Sequence, residues 1–150
     1  MNMKIAIGCD EAAYGLKQEI IKHLEGKGIT AVDFGSNEGE SVLYPNVAYA
    51  LAKEVAEEKF ERGILLCGTG IGMAITANKV LGVRAAVCHD SYSTERSRKS
   101  NNCQIMTMGA RVVGAELAKN LVDIWLESEF AGGGSSDKVD RISEIEREER

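Results

Sequence analysis

The sequence predicts an α/β fold: a doubly wound, Rossmann-like sheet of five parallel strands with helices on both faces. Two observations predict it. Short apolar runs alternate with longer stretches whose apolar residues recur at helical spacing, and this strand–helix unit repeats along the chain. The run Gly63-Ile64-Leu65-Leu66-Cys67 is apolar without alternation, as a strand covered on both faces requires.

Taken in order, Met3 to Gly8 reads as the first strand. Ala13 to about Glu25 reads as a helix, with Leu16, Ile20, Ile21 and Leu24 on one face. Gly26 and Gly28 close it, and Thr30 to Phe34 forms the second strand. Pro45, the single proline, marks the first turn of a second helix that runs to about Glu58. Gly63 to Cys67 is strand three, Arg84 to Cys88 strand four and Cys103 to Met108 strand five, each followed by a helix. The last of these helices spans Val113 to Glu127. Residues 1–130 thus make one domain. Residues 131–150 are a glycine-rich link, Ala131 to Ser136, too rich in glycine for a regular element, and a helix from Lys138 to Arg150. That helix carries one apolar stripe, Val139, Ile142 and Ile145. A partner subunit is the simplest cover for it, so a homodimer or tetramer is expected.

Composition narrows the function. A net charge of −5 argues against nucleic acid as a partner, because a phosphate backbone demands a basic footprint. No apolar run is long enough to span a membrane. Met1-Asn2-Met3-Lys4 leads straight into a strand, which leaves no room for a signal peptide. Cys9, Cys67, Cys88 and Cys103 show no paired spacing, and with only His23 and His89 no zinc set is expected. They read as reduced thiols of a cytoplasmic protein, three of them small buried hydrophobes.

Ligands of an open parallel sheet bind at the carboxyl ends of its strands. Strand one delivers Cys9, Asp10 and Glu11 there; strand three delivers Cys67 and the loop Gly68-Thr69-Gly70-Ile71-Gly72. Strand four ends at Cys88-His89-Asp90 and strand five at Gly109-Ala110-Arg111. The loop has the glycine density of a backbone cradle for an anion at a helix N-terminus. On its own it is equally a tight strand-to-helix turn, and it is neither a Walker loop nor a dinucleotide fingerprint. The cysteine directly before it raises its interest, since a helix dipole and clustered amides favour a thiolate.

Gly8-Cys9-Asp10, Cys67-Gly68-Thr69-Gly70-Ile71-Gly72, Ala77-Asn78-Lys79-Val80, Gly82-Val83-Arg84-Ala85-Ala86 and Gly109-Ala110-Arg111-Val112-Val113-Gly114 occur in one order. With these motifs the chain resembles the ribose-5-phosphate isomerase B and galactose-6-phosphate isomerase family, from Met3 to about Gly132-Gly133. The resemblance implies a cofactor-free aldose–ketose isomerase that acts through a cis-enediolate. It implies Cys67 as the base, and the Gly68, Gly70 and Ile71 amides with the Thr69 hydroxyl as the oxyanion pocket, beside Gly72. It further implies that Asp10 and Asn101 line the sugar site, that Arg111 contacts phosphate, and that the site lies between two subunits.

The chain departs from the family's pattern at several places. Asp10 is followed by Glu11 where the family has histidine, and Ser100 precedes Asn101 where the family has its ring-opening histidine. Downstream cations are reduced to Lys138, which with Arg111 would hold the phosphate. A tetrose 4-phosphate cannot close a furanose, because its 4-oxygen is esterified, and it needs no ring-opening residue. The expected substrate pair is therefore D-erythrulose 4-phosphate and D-erythrose 4-phosphate, with ribose 5-phosphate as the rival if His89 supplies the lost imidazole. A non-phosphorylated acid sugar and a non-catalytic subunit of a galactose-6-phosphate-type enzyme are further alternatives. A response-regulator receiver would need an aspartate at Cys67 and a lysine at the end of strand five, so that reading falls.

Overall fold

The computed structural model describes residues 3–150 and holds the expected layers: one sheet, parallel throughout, with helices on both faces. The reading of Met1 and Asn2 as a direct lead into strand one lies outside those residues. Strand β1 (Lys4–Cys9) passes through a 3-10 turn (Glu11–Ala13) into α1 (Tyr14–Gly26). Then follow β2 (Thr30–Asp33), α2 (Tyr44–Ala56), β3 (Arg62–Cys67), α3 (Ile71–Ala77), β4 (Ala85–Val87), α4 (Ser91–Lys99), β5 (Ile105–Gly109) and α5 (Ala115–Glu127).

The strand order is β2-β1-β3-β5-β4. Burial explains it: β3 and β5 are wholly buried and β1 is buried from Ile5 onward, while β2 and β4 are the half-buried edges. Side chains alternate between the faces. Ile5, Ile7, Ile64, Leu66, Met106 and Met108 form one core with Ile20 and Leu24 of α1 and Leu121 and Trp125 of α5. Ala6, Leu65 and Ile105 form the other with Val47 and Leu51 of α2 and Met73 of α3.

Most element ends lie within two residues of the sequence reading, and three of the differences have a visible cause. Strand β4 is shorter than Arg84 to Cys88, because the Arg84 amide donates to the Gln104 side chain (2.8 Å) and not to a strand. Strand β5 begins two residues after Cys103, whose amide donates to Ser97 O (2.8 Å) and closes α4. The glycine-rich link was expected to hold no regular element, yet Gly133–Ser135 forms a 3-10 turn that runs directly into α6 (Ser136–Glu148). Gly132, at φ 69°, turns the chain so that the Ser135 amide reaches Gly132 O at 3.2 Å, and the helix starts two residues before Lys138.

Of the α6 stripe, Val139 is buried, whereas Ile142 and Ile145 are each 46% exposed. Glu146 takes the Gly82 amide at 2.8 Å and ties the helix to the turn before β4. Two buried arginines fix the opposite end of the sheet from the strand carboxyl termini. Arg62 donates to Trp125 O (2.6 Å) and Ser128 O (2.9 Å), and Arg98 donates to Cys103 O (2.8 Å).

Candidate active site

Cys67 is the last residue of β3 and is 5% exposed. The chain then makes the turn Gly68-Thr69-Gly70 and enters α3. Gly70 sits at φ 79°, a conformation that glycine adopts without strain, and its amide donates to Cys67 Sγ at 3.0 Å. The Ile71 amide donates to Thr69 Oγ1 at 3.2 Å. Two of the amides expected in an oxyanion pocket are therefore committed within the loop, one of them to the sulfur itself. Thr69 and Ile71 are exposed, and Gly72 lies under the Tyr44 ring and hydroxyl.

The loop rests on the end of β5. Thr107 Oγ1 donates to Gly70 O (2.8 Å), the Ala110 amide to Cys67 O (2.8 Å) and the Arg111 amide to Gly68 O (3.1 Å). Gly109 allows this approach: a β-carbon there would lie 2.5 Å from Thr69 Cα and 2.6 Å from Gly68 O. The Arg111 side chain folds over the loop, its Nη1 3.2 Å from where a Gly68 β-carbon would sit. Arg111 and Cys67 are thus neighbours, as expected.

Asp10 follows β1 beside them, its amide donating to Leu66 O at 3.2 Å. Its Oδ1 accepts the Ala12 (3.0 Å) and Ala13 (3.2 Å) amides, so the carboxylate caps the turn that starts α1. Burial, and then the charge of Glu11, push its pKa up. Glu11 is exposed and Oε2 accepts the Val42 amide at 3.4 Å, which links it to the segment before α2. Cys9 is fully buried, with Sγ 3.8 Å from Ser36 Oγ, and burial pushes its thiol pKa up. The small-hydrophobe reading fits it.

Two side chains at this rim were not picked for the roles they hold. Tyr44 covers the first turn of α3; its only signal in the sequence is an aromatic directly before Pro45. His89 Nε2 accepts the Gly109 amide at 2.9 Å, and burial pulls its pKa below the usual histidine value.

Ser100, Asn101 and Lys138 are elsewhere. Helix α4 starts just past the carboxyl end of β4 and runs back for nine residues, about 13 Å, to the other edge of the sheet. Ser100 and Asn101 follow its last turn there. Asn101 lines a cleft of about 430 Å³ with Arg84, Arg96 and Ile142, and none of the Cys67 loop borders it. The Ala131 amide donates to Lys99 O (3.1 Å), so the link to α6 and Lys138 leaves from this same edge. Within one chain these residues do not meet Cys67. Among the described residues no three His, Cys, Asp or Glu side chains gather as a metal set, and no helix is long and apolar enough to cross a membrane.

Known proteins carry the same pattern. The family model described as Ribose/Galactose Isomerase matches residues 5–142. The chain is 60% identical to the ribose-5-P isomerase B of Listeria innocua over 99% of its length and 100% of the relative's. It is 54% identical to the D-erythrulose-4-phosphate isomerase of Pectobacterium atrosepticum, covering 99% of this chain and 98% of the relative. A solved structure of Clostridium thermocellum ribose-5-phosphate isomerase B superposes with a TM-score of 0.96 at 46% identity, covering 99% of this chain and 100% of that one.

Proposed function

The chain belongs to the ribose/galactose isomerase family and is a sugar-phosphate aldose–ketose isomerase, and from that premise we propose that Cys67 is its base. The observation that carries this is the sulfur at the end of β3, held by the Gly70 amide at 3.0 Å, with Arg111 over the same loop.

The chemistry follows from what an aldose–ketose interconversion needs. Cys67, as thiolate, takes the proton from the carbon beside the carbonyl. The C–H electron pair becomes the carbon–carbon double bond of a cis-enediolate, and the carbonyl π pair becomes charge on oxygen. The Thr69 hydroxyl and the Gly68 amide stabilise that charge, and the Gly70 and Ile71 amides join them as bound substrate draws them from Cys67 Sγ and Thr69 Oγ1. The Cys67 thiol then returns the proton to the former carbonyl carbon, while the hydroxyl proton passes between the two oxygens. No redox partner is consumed, because one carbon is oxidised as its neighbour is reduced.

Arg111 holds the phosphate as a bidentate donor on this side. Asp10 has Oδ2 available for a sugar hydroxyl while Oδ1 caps the turn, and Glu11 stands beside it. Ser100, Asn101 and Lys138 complete the site from a second copy of the chain. Two features support this: their placement at the far edge from Cys67, and the exposed apolar residues Ile71, Ile75, Ile142 and Ile145. The enzyme works in the cytoplasm, a reading supported by its four free cysteines.

The substrate is the open-chain pair D-erythrulose 4-phosphate and D-erythrose 4-phosphate. Ser100 stands where a ring-opening histidine would be, and the Nε2 of His89 is already taken by the Gly109 amide. The relatives divide between the two substrates, a ribose-5-P isomerase B at 60% identity and a D-erythrulose-4-phosphate isomerase at 54%, so these residues carry the reading. Separate assays decide: kcat/KM on D-erythrulose 4-phosphate should exceed that on ribose 5-phosphate by about tenfold or more. A faster pentose would overturn the substrate, and inactivity on both would overturn the phosphosugar reading.

A further inference from the structure

Strand β4 leaves the sheet early. Its last pairing is Val87 with Thr107, followed by the Cys88 amide to Thr107 O at 2.8 Å. Strand β5 continues to Gly109, a buried residue whose amide then faces no β4 carbonyl. The imidazole of His89 fills that place, its Nε2 accepting the Gly109 N–H at 2.9 Å. A nitrogen that accepts carries no proton, so this bond requires the neutral ring with its proton on Nδ1. The backbone beside it is firmly mounted. Asp90 caps α4 through Oδ2 to the Ser93 amide (2.8 Å), and its carbonyl accepts from Thr94 Oγ1 (2.6 Å).

Gly109 is the point on which the Cys67 loop lies, in contact with Thr69 Cα and Gly68 O, and its neighbours Thr107, Ala110 and Arg111 hold Gly70, Cys67 and Gly68. From this chain of contacts we infer that His89 is a positioning residue for Cys67: it anchors the end of β5 through Gly109 and so sets where the Cys67-Gly68-Thr69-Gly70 loop stands. The inference rests on Cys67 being the base. It gives His89 no proton to carry and no sugar ring to open. Loss of the anchor leaves a buried N–H unpaired and lets the loop shift, and displacement of a reacting group by about 1 Å costs up to about a hundredfold in rate.

The test uses the full chain, His89→Ala and His89→Gln, with Cys67→Ala as a control, on whichever of the two sugar phosphates the parent turns over. Glutamine reaches Gly109 with an amide oxygen and accepts the same N–H, but it exchanges no proton with a sugar. His89→Ala should lose about tenfold or more in kcat with KM within about threefold, and His89→Gln should recover to within about threefold of the parent. A fully active His89→Ala overturns the inference. So does a folded His89→Gln that is as slow as His89→Ala, because the imidazole's acid–base chemistry would then be what matters. If His89→Ala fails to fold, His89→Gln decides alone: near-parent activity supports anchoring, and a folded, slow variant contradicts it. Cys67→Ala separates the two readings. Activity there removes the base and not only the anchor, whereas an inert Cys67→Ala beside an unimpaired His89→Ala removes the anchor alone.

Discussion

At the residue scale, a single amide contact gives Cys67 its distinction among four cysteines. Cys9, Cys88 and Cys103 are buried without such a loop, and burial pushes all three thiols up, Cys103 to about 11. Its place at a strand end before glycines made Cys67 a candidate in the sequence, and the family resemblance implied it as the base. That Asp10, proposed as a sugar contact, also caps the turn into α1 needed coordinates, because a carboxylate's partners depend on the turn that follows it. Arg111 was legible from its place after β5, and its side chain does lie over Gly68. Removal of its charge takes away the proposed phosphate contact, one formed in ground and transition states alike. Arg111→Ala should therefore raise KM by about ten- to a hundredfold with kcat changed little, as expected for a hydrogen bond to a charged group. An unchanged KM in steady-state assays would place the phosphate elsewhere.

At the element scale, the strands were legible because fully buried strands are continuous apolar runs. Their order was not, since nothing local in Ile105 to Gly109 says that β5 inserts between β3 and β4. That insertion is what brings Gly109 under the Cys67 loop and His89 beside Gly109, a contact between residues 20 apart in sequence. The far ends of β3 and α5 are joined by Arg62, which is 3% exposed and holds the Trp125 and Ser128 carbonyls. Its partner Glu129 is 75% exposed, so the carbonyls dominate and the ion pair adds little. Arg62→Ala leaves the Trp125 carbonyl with only the Ser128 amide and the Ser128 carbonyl with only Arg98 Nε, each at 3.3 Å, and should lower stability by about 3 kcal/mol in urea unfolding. A loss under about 1 kcal/mol would mean that water replaces the guanidinium.

At the scale of the whole molecule, the α/β architecture and the C-terminal helix were legible from pattern, and the resemblance implied a site between two subunits, but the distance of Ser100 and Asn101 from Cys67 within one chain was not legible. Ser100 and Asn101 sit only at the end of an antiparallel helix, which a motif match does not reveal. The same geometry makes a strong demand on assembly. If Cys67 of one copy works with Asn101 of another, then Cys67→Ala and Asn101→Ala damage different halves of each site. Each variant alone should be nearly inactive. After subunit exchange, an equal mixture should regain about a quarter of parental activity, since random pairing into two-fold dimers leaves one site in four intact. A mixture no more active than its components, with exchange verified by mass, would contradict a shared site; an active Cys67→Ala would contradict the base itself.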